Sequence, residues 1–343
     1  MIKFIKNIKN VKFYYYFLKY VFIPFYDLLW TYFINFKDKL LGIIFNFSTS
    51  NQSYLSMDNN SKKIIEDNSE LKKLSLEILD SINPLFLEKQ INKITSEEYK
   101  EKLENEAIKN NPYLINIFPF LDLNIKKKII NFAVSNFMLK TAYNYLGVFP
   151  ILARIYLNLN IPTYKKKSAS QLWHRDDFGY KNLDLFMAIN EIDEDNGPLY
   201  TIKKKDPLNV FFRVKKDVNS GLKGERGKIL DQNFDYLDSN KKENLSVLKG
   251  KPGTTMLIDS IRNYHKGGYC ESNYRLMLRI NYMTNDSTFP IKDLENNRQT
   301  WLDLVEKKSF FKKYSLRKKG LIFEKLRIPK ILFSFYHAIS IKK

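Results

Sequence analysis

The sequence predicts a mainly β domain, a sandwich or barrel, with helical segments before and after it. Three observations lead there. From residue 151 the chain breaks into short stretches of alternating apolar and polar character, separated by turn signals such as Asn196-Gly197-Pro198 and Lys251-Pro252-Gly253. Several short strands with such punctuation pack as a sandwich or barrel. Between about 65 and 145, apolar residues recur at helical spacing instead. Residues 290–343 return to helix-like, basic patterning.

Residues 1–47 are predicted as an aromatic and basic N-terminal segment. Lys3, Lys6, Lys9 and Lys12 precede a run that includes Tyr14, Tyr15, Tyr16, Trp30 and Phe33. Its charge-free stretches are short, broken by Lys19, Asp27 and Lys37 with Pro24 between them, so neither a transmembrane helix nor a signal peptide fits. Aromatic bodies interspersed with lysine suit a membrane interface; a helical arm packed on the body of the protein is the other reading. Residues 48–145 are predicted as a linker and a helical region packed on the barrel. Residues 48–64 are polar enough for the linker, and Leu71, Leu74, Ile78 and Leu79 belong to the stripe of a first helix. Residues 126–145 give a further helix, ended by Gly147 and Pro150. Within the core, 146–290, strands are expected at 151–158, 172–176, 183–192, 199–202, 210–214, 254–258 and 275–283. Residues 291–343 form a basic helical extension.

A hydrophobic fraction of 44% and an aromatic fraction of 15% exclude a disordered chain. Cys270, the one cysteine, excludes a disulfide framework and a cysteine-based zinc cluster. It also suits a reducing compartment, so the expected location is cytoplasmic. The net charge is +20, and it lies at the ends. Residues 1–47 hold seven lysines against two aspartates, a net +5, and residues 307–343 hold twelve basic residues against one glutamate, a net +11. Such ends suit nucleic acid or an anionic membrane. No nucleic-acid module is recognisable, so nucleic acid is not expected as a partner. Peripheral contact with the inner face of an anionic membrane is the expectation that stays, against the alternative that AT-rich coding alone supplies the lysine.

The chemistry centres on three histidines, His174, His265 and His337. His174 and Asp176 lie two apart, so on a strand they project to one face. His265 follows 91 residues later, beside a turn-rich segment. Two imidazoles and one carboxylate form the facial triad of non-haem Fe(II) sites, leaving positions open for oxygen and a co-substrate. Arg275 opens a strand on which Arg275, Met277, Arg279 and Asn281 alternate with Leu276, Leu278, Ile280 and Tyr282. A guanidinium on the metal-facing side suits the distal carboxylate of a 2-oxo acid. Arg279 shares that face and competes for the role; otherwise it is a solvated edge charge. Lys181 is a candidate for touching substrate or co-substrate, and Tyr156 and Asn158 are candidates for lining the pocket. Asp177 reads as a surface acid and Trp173 as core, while Cys270 and His337 receive no role.

The stretch Trp173-His174-Arg175-Asp176, then Asn196-Gly197-Pro198, then Asp259 to His265, and then Arg275 resembles the phytanoyl-CoA dioxygenase family of Fe(II)/2-oxoglutarate-dependent oxygenases. The resemblance covers roughly 125–285. It implies a double-stranded β-helix barrel of the jelly-roll or cupin kind, with His174, Asp176 and His265 as iron ligands and Arg275 as the 2-oxoglutarate anchor. It also implies hydroxylation of a small-molecule or lipid-linked substrate by O2, with release of succinate and CO2. Because Asp176 is kept, oxygen insertion is expected rather than halogenation. One departure stands after Pro198, where Thr201-Ile202-Lys203 replaces the Gly-Ser-His that often ends this strand. The reading from a different class is a non-catalytic barrel that binds a ligand and is attached to a membrane or partner by its basic ends.

Overall fold

The computed structural model describes residues 35–57, 62–82, 87–89, 92, 114–162, 169–174, 176, 181–202, 245–285 and 300–317. The helices among them include α1 (Phe36–Ser48), α2 (Ser69–Ser81), α3 (Leu123–Ala133), α4 (Asn136–Leu146) and α5 (Phe310–Ser315). Nine strands accompany them: β1 (Lys62–Ile65), β2 (Leu114–Asn116), β3 (Ile151–Asn160), β4 (Asn182–Ala188), β5 (Leu199–Ile202), β6 (Leu245–Leu248), β7 (Thr255–Ile258), β8 (His265–Gly267) and β9 (Arg275–Met283).

Local chemistry sets the helix ends. The Asn68 side chain accepts from the backbone N–H of Glu70 and Leu71, and Asp122 accepts from Ile125 N–H at 2.9 Å. These caps satisfy donors that a helix start leaves without partners. Where the sequence suggests one helix over 126–145, the chain forms two. Ser135 interrupts it, accepting from Met138 N–H at 3.2 Å to start α4. Gly147 then ends α4 in the left-handed region, at φ 76°.

Six strands form an antiparallel sheet in the order β1-β7-β4-β9-β3-β2, and three form a smaller one, β6-β5-β8. The predicted linker therefore contributes a strand, because Ile64 and Ile65 pair with Met256 and Thr255 at the sheet edge. Across β3, β9 and β4 the register aligns Tyr156 with Arg279 and Arg279 with Phe186. Opposed residues share a face, so each face can be read directly.

The outer face carries Leu157, Leu159, Leu183, Leu185, Leu276, Leu278, Ile280 and Tyr282, all fully buried against residues of α2, α3 and α4 such as Leu71, Ile129 and Met138. The inner face meets the small sheet through Phe186, Ala188, Met256, Ile258 and Met277, packed with Leu199 and Leu248. The architecture is mainly β with flanking helices, as predicted. Among the described residues the two sheets stay separate layers, and no closed barrel is formed.

Strands 151–158, 183–192, 199–202, 254–258 and 275–283 are found at or near their predicted places, whereas, of the described residues in 172–176, only Trp173 and His174 take part in bridges. The strand predicted at 210–214 lies outside the described residues, as do residues 1–34, Asp177 and His337. β6 and β8, of four and three residues, are too short to show a period. Among the described residues no helix is long and apolar enough to cross a membrane.

Candidate metal centre

His174 and His265 are neighbours because their backbones are. They form an antiparallel bridge, His174 N–H donating to His265 O at 3.0 Å and His265 N–H to His174 O at 2.9 Å. The pairing continues at Asp176, whose N–H donates to Ser260 O at 2.9 Å. Three side chains from two distant segments are thereby brought to one point.

The imidazole centroids lie 4.3 Å apart. The Asp176 Oδ1 atom stands 3.9 Å from His174 Nε2 and 4.0 Å from His265 Nε2. One ligand atom from each residue falls within 4.8 Å of the others.

The remaining atoms of these groups are committed elsewhere. His174 Nδ1 lies 2.7 Å from Leu172 O, and His265 Nδ1 lies 3.2 Å from Asn263 O. A carbonyl only accepts, so each Nδ1 carries a proton, and Nε2 is the ring nitrogen turned toward the centre. Asp176 Oδ2 accepts from Arg279 Nη2 at 2.9 Å and lies 2.9 Å from the Ser260 hydroxyl. That leaves Oδ1 facing the two Nε2 atoms.

Behind this lies a second carboxylate, Asp184, wholly buried on β4. Its oxygens accept from Arg279 Nε at 2.7 Å, Arg279 Nη2 at 2.9 Å, Asn281 Nδ2 at 2.9 Å and Ser260 Oγ at 2.6 Å. Arg279 is thus a fork between two acids. The arrangement corrects the reading of Arg279 as a solvated edge charge, because its guanidinium is enclosed and paired twice.

Electrostatics follow from that geometry. Burial alone would raise the Asp176 pKa, but Arg279, the two imidazoles and Ser260 together hold it well below the usual carboxylate range. Burial lowers the His265 pKa, outweighing the pull of Asp176 and keeping the ring neutral, as a ligand must be. Burial would lower the Arg279 pKa too, yet Asp184 and Asp176 raise it. Arg154, on the inner face of β3, is pushed down to about 10 by burial and then by Arg279.

The other predicted residues divide. Arg275 is buried at the start of β9, its Nη2 alongside Gly267 on β8, where an added Cβ would lie 3.5 Å away. Tyr156 and Asn158 are half-buried on the inner face of β3, in register with Arg279 and Met277. Lys181 is not at the centre. Its Nζ donates to the Tyr145 carbonyl and sits 4.0 Å from the Tyr145 ring centroid. There it serves the C-terminal end of α4, where cations are favoured.

Trp173 is core, packed with Ile202. Cys270 is a buried thiol donating to Asn196 O at 3.0 Å. Sequence reasoning missed Asp184, Ser260, Asn281 and Arg154. The available signal was Asp184, an acid within Asn182-Leu183-Asp184-Leu185-Phe186-Met187-Ala188, since a carboxylate on an apolar strand requires a buried cation.

No family model and no curated protein matches the chain. Solved structures do match. EctD from S. alaskensis, crystallised with 2-oxoglutarate and 5-hydroxyectoine, is 17% identical over 68% of this chain and 77% of its own, with a TM-score of 0.38. SnoK, a non-haem α-ketoglutarate-dependent carbocyclase from nogalamycin biosynthesis, is 11% identical over 69% of this chain and 86% of its own, with a TM-score of 0.38. The corresponding epimerase, SnoN, is 10% identical over 66% and 78%, with a TM-score of 0.34. Similarities this distant assign no residue a role.

Proposed function

We propose that the chain is an Fe(II)/2-oxoglutarate-dependent oxygenase with a core of the double-stranded β-helix kind, similar to the phytanoyl-CoA dioxygenase family. Its reaction would be hydroxylation of a small-molecule or lipid-linked substrate with release of succinate and CO2. The observation that carries this reading is the convergence of one ligand atom each from two imidazoles and one carboxylate within 4.8 Å.

The residues fit a resident metal. Both Nδ1 positions are hydrogen-bonded, Asp176 Oδ2 is held by Arg279, and His265 and Asp176 are sheltered from water. Two imidazoles and a single carboxylate are the donor set of non-haem Fe(II) oxygenases. When bound, Fe(II) and 2-oxoglutarate would supply the oxygen-activating chemistry.

The protein's own part is positioning and charge. His174, Asp176 and His265 would hold the metal. Arg279 keeps Asp176 ionised and, by holding Oδ2, leaves Oδ1 as the oxygen that would hold the metal. Arg275, buried at the start of β9 and beside β8, would receive the distal carboxylate of 2-oxoglutarate through its planar fork. Tyr156 and Asn158 would face the co-substrate or substrate from β3.

Anaerobic titration of the full chain with Fe(II) and 2-oxoglutarate tests the proposal. One equivalent of iron, lost in His174→Ala and in His265→Ala, is the expected result. Stoichiometric iron binding that survives both substitutions would overturn the assignment. Oxygen-18 transfer from O2 into compounds of a metabolite extract would then identify the substrate.

A further inference from the structure

Helix α1 packs one face on the body of the protein and presents an apolar arc on its outer face. Its buried residues are Asp38, Gly42 and Phe45, whereas Phe36, Leu40, Ile43, Ile44 and Phe47 are 57, 47, 53, 58 and 87% exposed. At about 100° per residue these five occupy one arc of about 100°. Lys37 and Lys39 border that arc on its two sides.

This helix is firmly attached. Gly42 packs so closely on α4 that an added Cβ would overlap the Tyr143 ring. Asp38 is ion-paired with Arg317 Nη2 at 2.7 Å and accepts from Tyr314 Oη at 2.8 Å. The buried Lys140 Nζ donates to Thr49 O at 2.6 Å, just past the end of α1. The apolar arc is held outward because the inner face is fixed by Phe45 in the core, Gly42 against Tyr143 and Asp38 on Arg317.

Arg317 and Tyr314 belong to the opposite end of the chain. Phe311 of α5 packs on Phe45 at 5.0 Å, and Lys37 Nζ lies 5.6 Å from the Tyr314 ring on which Phe310 stacks. Phe310 is itself 60% exposed, and Lys307, Lys308 and Lys313 beside it are exposed. The described residues 35–47 and 307–317, with net charges of +1 and +5, therefore meet at one place.

We propose that this face, the outer arc of α1 with Phe310 and the lysines of the α5 region, docks on the surface of an anionic phospholipid bilayer. Apolar side chains rimmed by lysine are the chemistry of an interfacial helix, which lies in the plane of the headgroups. Lysines at the rim keep their charge among lipid phosphates while their stems lie along apolar surface. The net positive charge selects an anionic lipid surface over a neutral one. The inference is independent of the metal centre.

Vesicle co-sedimentation of the full chain tests it, using phosphatidylcholine alone and phosphatidylcholine mixed with phosphatidylglycerol. Pelleting with the anionic vesicles is expected to exceed that with neutral ones by about tenfold or more at about 0.1 M salt. It should fall steeply at about 1 M, where the Debye length drops from about 10 Å to about 3 Å. The exposed double substitution Ile43→Asp with Phe47→Asp, and separately the triple substitution of Lys307, Lys308 and Lys313 by Glu, should each abolish it. Leu123→Asp, at another exposed apolar position (63%) on α3, should leave it unchanged. Unchanged circular dichroism and Fe(II) uptake would show that the variants fold.

Absence of pelleting by the parent chain would overturn the proposal, and so would pelleting that the α1 double variant retains. A dimer in sedimentation velocity that Ile43→Asp with Phe47→Asp converts to monomer, without vesicle binding, would assign the arc to a second copy instead.

Discussion

On β9, Leu276, Leu278, Ile280 and Tyr282 face the helices, while Arg275, Met277, Arg279 and Asn281 face the small sheet. β4 repeats the division, with Leu183, Leu185 and Met187 outward and Asp184 and Phe186 inward. One face is uniformly apolar and its residues interchange with modest cost. The other places ions in a dry interior, which is costly unless every charge is met by a partner. Placing both on alternate residues of one strand means that packing on the outer face fixes the positions of charges on the inner face to within the tolerance of a side chain.

The largest contrast should come from the candidate ligands. His174→Ala and His265→Ala are expected to weaken Fe(II) binding by more than about 100-fold in calorimetric titration. Thermal stability of the metal-free protein should barely change, since neither ring holds up the core. A large loss of metal-free stability would break the division between faces.

Arg279→Leu sharpens it from the other side. This inner-face change should destabilise by about 3–5 kcal/mol in urea unfolding, because Asp176 and Asp184 would be left buried without their shared cation. The double variant Arg279→Leu with Asp184→Asn should recover part of that loss. The sign follows from the pairing alone: removing one charge strands another.

Leu278→Ala, one residue away on the outer face, should cost about 2–5 kcal/mol through loss of buried surface and the cavity left behind. Its Fe(II) affinity should stay within about threefold of the parent.

Arg275→Leu should raise the 2-oxoglutarate concentration needed for half-saturation by about 30-fold or more, with Fe(II) retained. Arg279→Leu producing that effect while Arg275→Leu does not would exchange their roles. Smallest of all, Tyr282→Phe removes a 2.6 Å hydrogen bond to Ala133 O. That change should cost about 1–2 kcal/mol.

Much of the site is legible in the amino-acid sequence. The His174 and Asp176 spacing, the distant His265 and the alternation of β9 are all visible there, because period and residue type are local properties. What stays hidden depends on pairing between remote segments. Alternation places Arg279 on the inner face without disclosing that Asp184, 95 residues earlier, meets it. Lys181 shows the reverse failure, since a lysine near the ligands in sequence turns to the end of α4 in space. The convergence of α1 and α5 is equally out of reach, resting on Asp38 and Arg317 at opposite ends of the chain.

The bridge between His174 and His265 also has a consequence in time. During synthesis, His174 and Asp176 leave the ribosome well before their third partner. At about 5–20 residues per second, the residues between the two histidines take on the order of 5–20 s. Arg279 is made later still, 103 residues after Asp176. Throughout that interval Asp184 lacks the Arg279 guanidinium that pairs with it in the folded chain. Completion of β9 delivers Arg279 and the central strand of the large sheet together. The buried charge cluster of Asp176, Asp184 and Arg279 is therefore complete only once β9 has been made.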